Sequence, residues 1–177
     1  MTQEPQLIRQ DEKFDGAIVN LRVDTVLLPN GREATFEVVE HEKAVVLVPI
    51  DADDNVLLVR QYRHPIGGWL LEAPAGMLKP PESPDVCAQR ELQEEIGYAA
   101  RNLRPLGGFW SSPGFCTEFI YAYLARDLVE SRLEADEDED IEVQRIPLSR
   151  MSQLIRLGEI QDAKTIATLL MTMHLFQ

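Results

Sequence analysis

The sequence predicts an α/β sandwich, β-rich with one central helix and two terminal ones, and an antiparallel β-hairpin at the N-terminus. Three observations predict it. Two β-rich segments meet at Asn30-Gly31, the dipeptide best suited to a tight hairpin turn. Ala44 to Ile50 is almost continuously apolar and lacks the alternation of a half-exposed strand, so it reads as a strand buried on both faces. Helical patterns occur once in the middle of the chain and twice at its end, with strand-like runs between them.

In chain order, Ala17 to Leu28 and Ala34 to His41 are the hairpin strands, joined through Pro29-Asn30-Gly31-Arg32. The buried strand ends at Asp51-Ala52-Asp53-Asp54-Asn55. This is a turn, because the later Gly and Glu of a calcium loop are missing. Val56 to Arg63 returns as a strand, and Trp69 to Ala73 leads toward the central helix. Leu103 to Trp110 and Phe119 to Ala125 read as strands around the loop Ser111-Ser112-Pro113-Gly114-Phe115. An acidic stretch, Glu134 to Asp140, precedes a short strand at Ile141 to Ile146. Ser149 to Leu157, opened by a Ser cap, and Ala163 to Leu175 are the closing helices. Neither a repeat nor a linker divides the chain. Residues 1–177 are therefore expected to form a single domain, with 1–42 as the hairpin region and 43–177 as the core.

A chain of 177 residues supports one sizeable core and not comfortably two. A net charge of −13 argues against a nucleic-acid backbone or an anionic membrane as partner. No apolar run reaches the length of a membrane span, and Met1 to Asp15 is polar and acidic rather than signal-like, so a cytoplasmic location is expected. Cys87 and Cys116 lack metal or disulfide spacing, and Cys87 reads as a small buried residue. His41, His64 and His174 form no ligand spacing and read as structural.

The chemistry concentrates in the central helix. Glu91, Glu94 and Glu95 are three and four residues apart and share one face, while Ala88, Leu92 and Ile96 repeat every four residues on the opposite face. Crowded carboxylates on a helix repel by about 0.2–0.5 kcal/mol per pair. A hard divalent cation relieves that repulsion, and Mg²⁺ takes oxygen ligands while keeping waters that a phosphate can displace. Glu91 and Glu95 are the best-placed primary ligands, and Glu94 completes the cluster. Arg90 precedes Glu94 by four residues and is expected to orient it by pairing along the helix. Glu82, on the preceding loop, either anchors that loop to the helix or joins the metal. A solvated acidic face is the competing reading of the cluster.

The wider spacing decides against that competing reading. Gly76, five residues, Glu82, seven residues, then Arg90-Glu91-Leu92-Gln93-Glu94-Glu95-Ile96-Gly97 fix seven specified positions. Average residue usage would produce them by chance roughly once in a hundred million starting points. The pattern resembles the Nudix box, and the chain resembles Nudix hydrolases from its first strand to its last helix. Tyr98 fills a final slot that is usually aliphatic, and Pro80-Pro81 stands where the family more often has Gly.

The resemblance implies a Nudix-type α/β/α sandwich with the box as a loop-helix-loop, and it adds the backbone carbonyl of Ala75 to the metal shell. Pro113, fifteen residues past Tyr98, resembles the marker of the ADP-ribose pyrophosphatase branch, in which the residue matching Glu118 helps hold the terminal ribose. The acidic run matches a loop whose Glu activates water or joins the metal. Glu139 and Glu137 are the matching positions, and Glu139 is favoured as nearer the following strand. Arg63 matches an arginine used against the substrate, with a strand-end surface charge as its alternative.

Phe36 before Glu37, and Glu42-Lys43, depart from close relatives that often carry Arg and Pro-Gly there; the first bears on adenine selectivity. The implied activity is Mg²⁺-dependent (Mn²⁺ being the alternative) hydrolysis of ADP-ribose. Broader action on nucleoside-diphosphate sugars, or a non-catalytic nucleotide sensor, is the alternative. A homodimer packed through residues 17–42 is implied as well.

Overall fold

A computed structural model describes residues 3–134 and 141–176. They form two compact units, Met1–Lys43 with Trp110–Phe119, and Ala44–Phe109 with Ile120–Gln177.

In the first unit, β1 (Gln6–Asp15), β2 (Asn20–Leu27) and β3 (Glu33–Glu40) form an antiparallel sheet in that order. The hairpin turn closes where Asn30-Gly31 predicts it, with the Gly31 amide donating to Leu28 O at 2.9 Å. Strand β1 is an addition that the sequence does not signal. Nine of its ten residues are exposed, and its pairing with β2 is interrupted by two register shifts. Without a buried face it has no period-2 pattern to read. The segment after Pro113 runs beside the end of β3: the Val39 amide donates to Phe115 O at 2.7 Å, and the Thr117 amide to Val39 O at 3.0 Å.

The second unit holds the remaining strands and the helices. β4 (Ala44–Pro49) pairs in parallel with β9 (Phe119–Glu130) and antiparallel with β7 (Ala75–Met77), giving a mixed sheet of order β7-β4-β9-β8, where β8 is Tyr98–Trp110. β10 (Ile141–Pro147), β5 (Asn55–Arg63) and β6 (Gly68–Glu72) form an antiparallel second sheet.

Every residue of β4 is buried, as the unbroken apolar run requires. Ala44, Val46, Val48 and Ile50 enter one core with Met151 and Leu154 of α2 (Met151–Leu157) and Leu169 of α3 (Ala163–His174). Val45 and Leu47 enter a second core with Cys87 and Ala88 of α1 (Pro84–Glu91) and with Leu92 and Ile96 just beyond it. Strand β5 divides in the same way, with Leu58 in the first core and Leu57 in the second. Helices therefore cover both faces, which is the expected α/β/α sandwich.

Some boundaries differ from expectation. β8 and β9 are longer than the runs Leu103 to Trp110 and Phe119 to Ala125, because pairing continues through residues that are not apolar. Ser149 does not cap the first closing helix. It lies in a 3₁₀ turn, Leu148–Arg150, and α2 begins at Met151 with no side-chain cap. Asp162 is a true cap, its carboxylate accepting from the Thr165 amide at 2.9 Å.

Candidate active site

Strand β7 and helix α1 carry the box. β7 is placed by pairing with the rigid strand β4, Ala75 opposite Val46 and Gly76 opposite Val45. Ser83 opens α1, its Oγ accepting from the Val86 amide at 3.4 Å, and Pro84 fills the first helical position. Gln89 fixes the helix to β8 by donating to Ala100 O at 2.7 Å and accepting from the Ala100 amide at 3.0 Å. The helix then widens into a π turn, Leu92–Ile96, and ends at Gly97, whose φ of 76° lies in the left-handed region. A π turn inside a helix is frequent at functional sites.

Arg90 is the centre of the carboxylates. Its Nη1 donates to Glu91 Oε1 at 2.6 Å and to Glu94 Oε2 at 2.8 Å, and its Nη2 donates to Glu82 Oε1 at 2.7 Å. The helical pair with Glu94 forms as the spacing predicts, but it is one of three. Glu82 is also held by the Lys79 amide at 2.6 Å, so both ends of its carboxylate tie the loop to the helix. The Arg90 hydrogen bond holds the Glu82 pKa down to about 2. Burial alone would lower the Arg90 pKa, but Glu82 and then Glu91 and Glu94 outweigh it and raise it.

Glu91 and Glu95 are each only 6% exposed, which removes the solvated-face reading for these two. Gly76 is where it is because a Cβ there would collide with the Glu91 carboxylate. Glu95 Oε2 accepts from the Ala75 amide at 3.3 Å. Cys87, wholly buried beneath them, has its thiol pushed up to about 12 by burial and reads as structural.

Among the described residues, no three His, Cys, Asp or Glu side chains form a ready metal cage. The donor chemistry nevertheless fits a hard divalent cation, since the gathered groups are carboxylates and each offers about four lone-pair sites, more than Arg90 takes.

Arg63 is tied to a residue that the sequence reading passed over. Its Nε and Nη2 donate to the two oxygens of Glu72, both at 2.8 Å, and Glu72 is 1% exposed. Lys164 also donates to Glu72 and lies 3.0 Å from Asp162. Burial opposes ionisation of Glu72, but Arg63 and then Lys164 overcome it and hold its pKa below the usual carboxylate value. A charged residue inside the otherwise apolar run Leu70-Leu71-Glu72-Ala73 was the available signal.

In the first unit, Pro113 opens a turn closed by the Cys116 amide on Ser112 O at 2.9 Å. Glu118 Oε1 lies 3.6 Å from His41 Nδ1, so His41 faces a residue assigned by the resemblance to substrate. A cleft of about 280 Å³ there is lined by Phe36, Pro113 and Phe115. Glu137 and Glu139 lie outside the described residues.

Known proteins resemble this chain along most of its length. The NUDIX domain family model matches residues 40–169. The ADP-ribose pyrophosphatase of Bacillus subtilis (strain 168) is 37% identical over 92% of this chain and 89% of its own length. The GDP-mannose pyrophosphatase of Escherichia coli (strain K12) is 36% identical over 78% of this chain and 82% of its own. A solved ADP compounds hydrolase superposes with a TM-score of 0.90 at 26% identity, covering 98% of this chain and 95% of that one. The chain belongs to the NUDIX family. Members of that family generally use a divalent metal ion.

The Glu72 cluster predicts an acid dependence of stability. The folded pKa of Glu72 lies below its unperturbed 4.5, so the folded state binds the proton less readily. Its contribution is complete above that value and is lost as pH falls through the folded pKa. Glu72→Gln should cost about 2–4 kcal/mol at neutral pH by leaving Arg63 and Lys164 uncompensated. The gap to wild type should narrow as pH falls below the unperturbed 4.5 and through the lower folded pKa. Urea denaturation across that range checks it, and a gap that stays constant would contradict the assignment.

Proposed function

We propose that the chain hydrolyses ADP-ribose to AMP and ribose 5-phosphate with Mg²⁺, as a cytoplasmic homodimer. The observation that carries this reading is the Arg90-centred carboxylate cluster packed behind Gly76. In the reaction, water adds to one phosphorus, the bridging P–O bond breaks, and the proton of the water is taken up by a base. Glu91, Glu94, Glu95 and the Ala75 carbonyl would hold the metal. When bound, the ion neutralises charge on the diphosphate oxygens and lowers the pKa of a coordinated water. Arg90 keeps Glu91 and Glu94 in fixed rotamers, and Glu82 keeps the loop against Arg90. Arg63 contacts the diphosphate, Glu118 the terminal ribose, and Pro113 shapes the loop before it. Glu139, with Glu137 as the alternative, accepts the proton of the attacking water.

A broader nucleoside-diphosphate-sugar range is the second reading. It is favoured by Phe36, half-exposed in a cleft with Phe115, since an aromatic face stacks on any base. A sensor without activity is disfavoured by the complete set of box carboxylates. Product analysis with Mg²⁺ across ADP-ribose, GDP-mannose, UDP-glucose and diadenosine polyphosphates separates these readings. AMP and ribose 5-phosphate from ADP-ribose, with kcat reduced at least ~10²-fold in Glu95→Gln, is the expected result. Near-wild-type turnover of Glu95→Gln at saturating Mg²⁺ sinks the metal assignment.

For the base, Glu139→Gln should lower kcat by about 10²–10⁴-fold with little change in KM. The double variant with Glu137→Gln guards against substitution of one carboxylate for the other. Wild-type turnover by the double variant would remove this loop from the chemistry.

The homodimer is supported by the first unit, where Leu7, Ile8, Phe14, Ile18 and Trp110 are each more than half exposed. Sedimentation should give a dimer at micromolar concentration that is lost when residues 1–42 are deleted. A full-length monomer that retains activity contradicts it.

A further inference from the structure

Lys164 stands on the first turn of α3, 92 positions along the chain from Glu72, and donates to Glu72 Oε2. Among the described residues, the other side-chain hydrogen bonds of Glu72 are the two from Arg63, which use only the Nε–Nη2 edge of that guanidinium. Nη1 makes no hydrogen bond among the described residues, and the Arg63 side chain is 40% exposed. An arginine clamped along one edge to a buried carboxylate, with its outer donors facing solvent, offers a planar and pre-oriented fork for phosphate oxygens.

The clamp has a cost for that task. Were Glu72 held by Arg63 alone, its charge would cancel most of the attraction between Arg63 and an anionic ligand. Lys164 shares the carboxylate, so the positive charge of Arg63 is not fully spent on Glu72. Asp162, 3.0 Å from Lys164, keeps the ammonium directed at the cluster, and its own charge is taken up in part by the Thr165 amide and hydroxyl that donate to it.

We propose that Lys164 is a positioning residue for diphosphate binding: by sharing the buried Glu72 carboxylate it holds the Arg63 fork in place and leaves its charge for the substrate. This rests on the hydrolysis of ADP-ribose proposed above. A purely mechanical role for the start of α3 is filled by another residue. Thr165 Oγ1 accepts from the Ala73 amide at 2.8 Å and donates to Asp162, bolting the helix to the chain beside Glu72 without any help from the ammonium. Loss of the Lys164 charge therefore leaves that anchor intact.

The test measures KM for ADP-ribose with Mg²⁺, and the Kd for ADP-ribose in a chelator, for Lys164→Met, Lys164→Gln, Lys164→Arg, Arg63→Met and the double variant Lys164→Met/Arg63→Met. Both neutral variants should weaken binding about five- to tenfold, more than they lower kcat, and Lys164→Arg should restore it. On the Arg63→Met background, Lys164→Met should add nothing further, because its effect passes through Arg63. The neutral pair keeps the test open if one variant does not fold. Wild-type affinity in a folded neutral variant overturns the proposal, as does a full additional loss in the double variant, which would make Lys164 an independent phosphate contact. A wild type that neither binds nor cleaves ADP-ribose overturns the substrate reading, and this inference falls with it.

Discussion

The packing of one guanidinium among three carboxylates sets the geometry of the box. Arg90 reaches Glu82 on the loop, Glu91 within its own turn and Glu94 one turn on. The planar fork of arginine, with five donors in fixed directions, can satisfy three acceptors at once, which a lysine ammonium could not do with the same rigidity. Removing it would leave several low-exposure carboxylates facing one another, and breaking such pairs is among the costlier single changes a fold can suffer. Loop, helix and π turn therefore depend on Arg90 as a unit, and none of the three carboxylates can move without disturbing the other two.

That unit is held on a stiff base. β4 is buried along its whole length and contributes side chains alternately to the two cores, so β7, which pairs with it, inherits a fixed position. The close approach of the Glu91 carboxylate to the Gly76 backbone follows from this. A strand held by β4 and a helix held by Ala88 and Leu92 are pressed together, and only a residue without a Cβ leaves room between them. Gly76 is thus a packing requirement of the site as much as a turn residue.

The parts that the sequence made legible are those where one physical signal dominates. Continuous apolarity marked β4, Asn30-Gly31 marked the hairpin, and four-residue spacing separated the buried stripe of α1 from its carboxylates. Strand β1 escaped because it is held by backbone pairing on one side, with both faces exposed. The widening at Leu92–Ile96 escaped because a π turn leaves no pattern in the residue types themselves. Glu72 and Lys164 escaped for a different reason. They meet across 92 positions, and sequence periodicity carries no information about pairs that only tertiary folding brings together.

The two charged clusters of the second unit differ in a way that bears on how an acidic chain handles a diphosphate. Around Arg63 the charges balance, with Glu72 and Asp162 set against Arg63 and Lys164, and the outer edge of the arginine faces solvent. Around Arg90 they do not: Glu82, Glu91 and Glu94 share a single guanidinium, and Glu95 lies on the same short segment. An excess of hard oxygen donors at low exposure is stabilised by a cation from solution, whereas a balanced cluster needs none and can hold its arginine still. The net charge of −13 makes the distinction sharper, because a diphosphate approaching this surface is repelled except where positive charge has been fixed in place. The overall acidity of the chain is therefore compatible with an anionic substrate only where a cation from solution offsets the Arg90 carboxylates and where the Arg63 guanidinium is held within a balanced cluster.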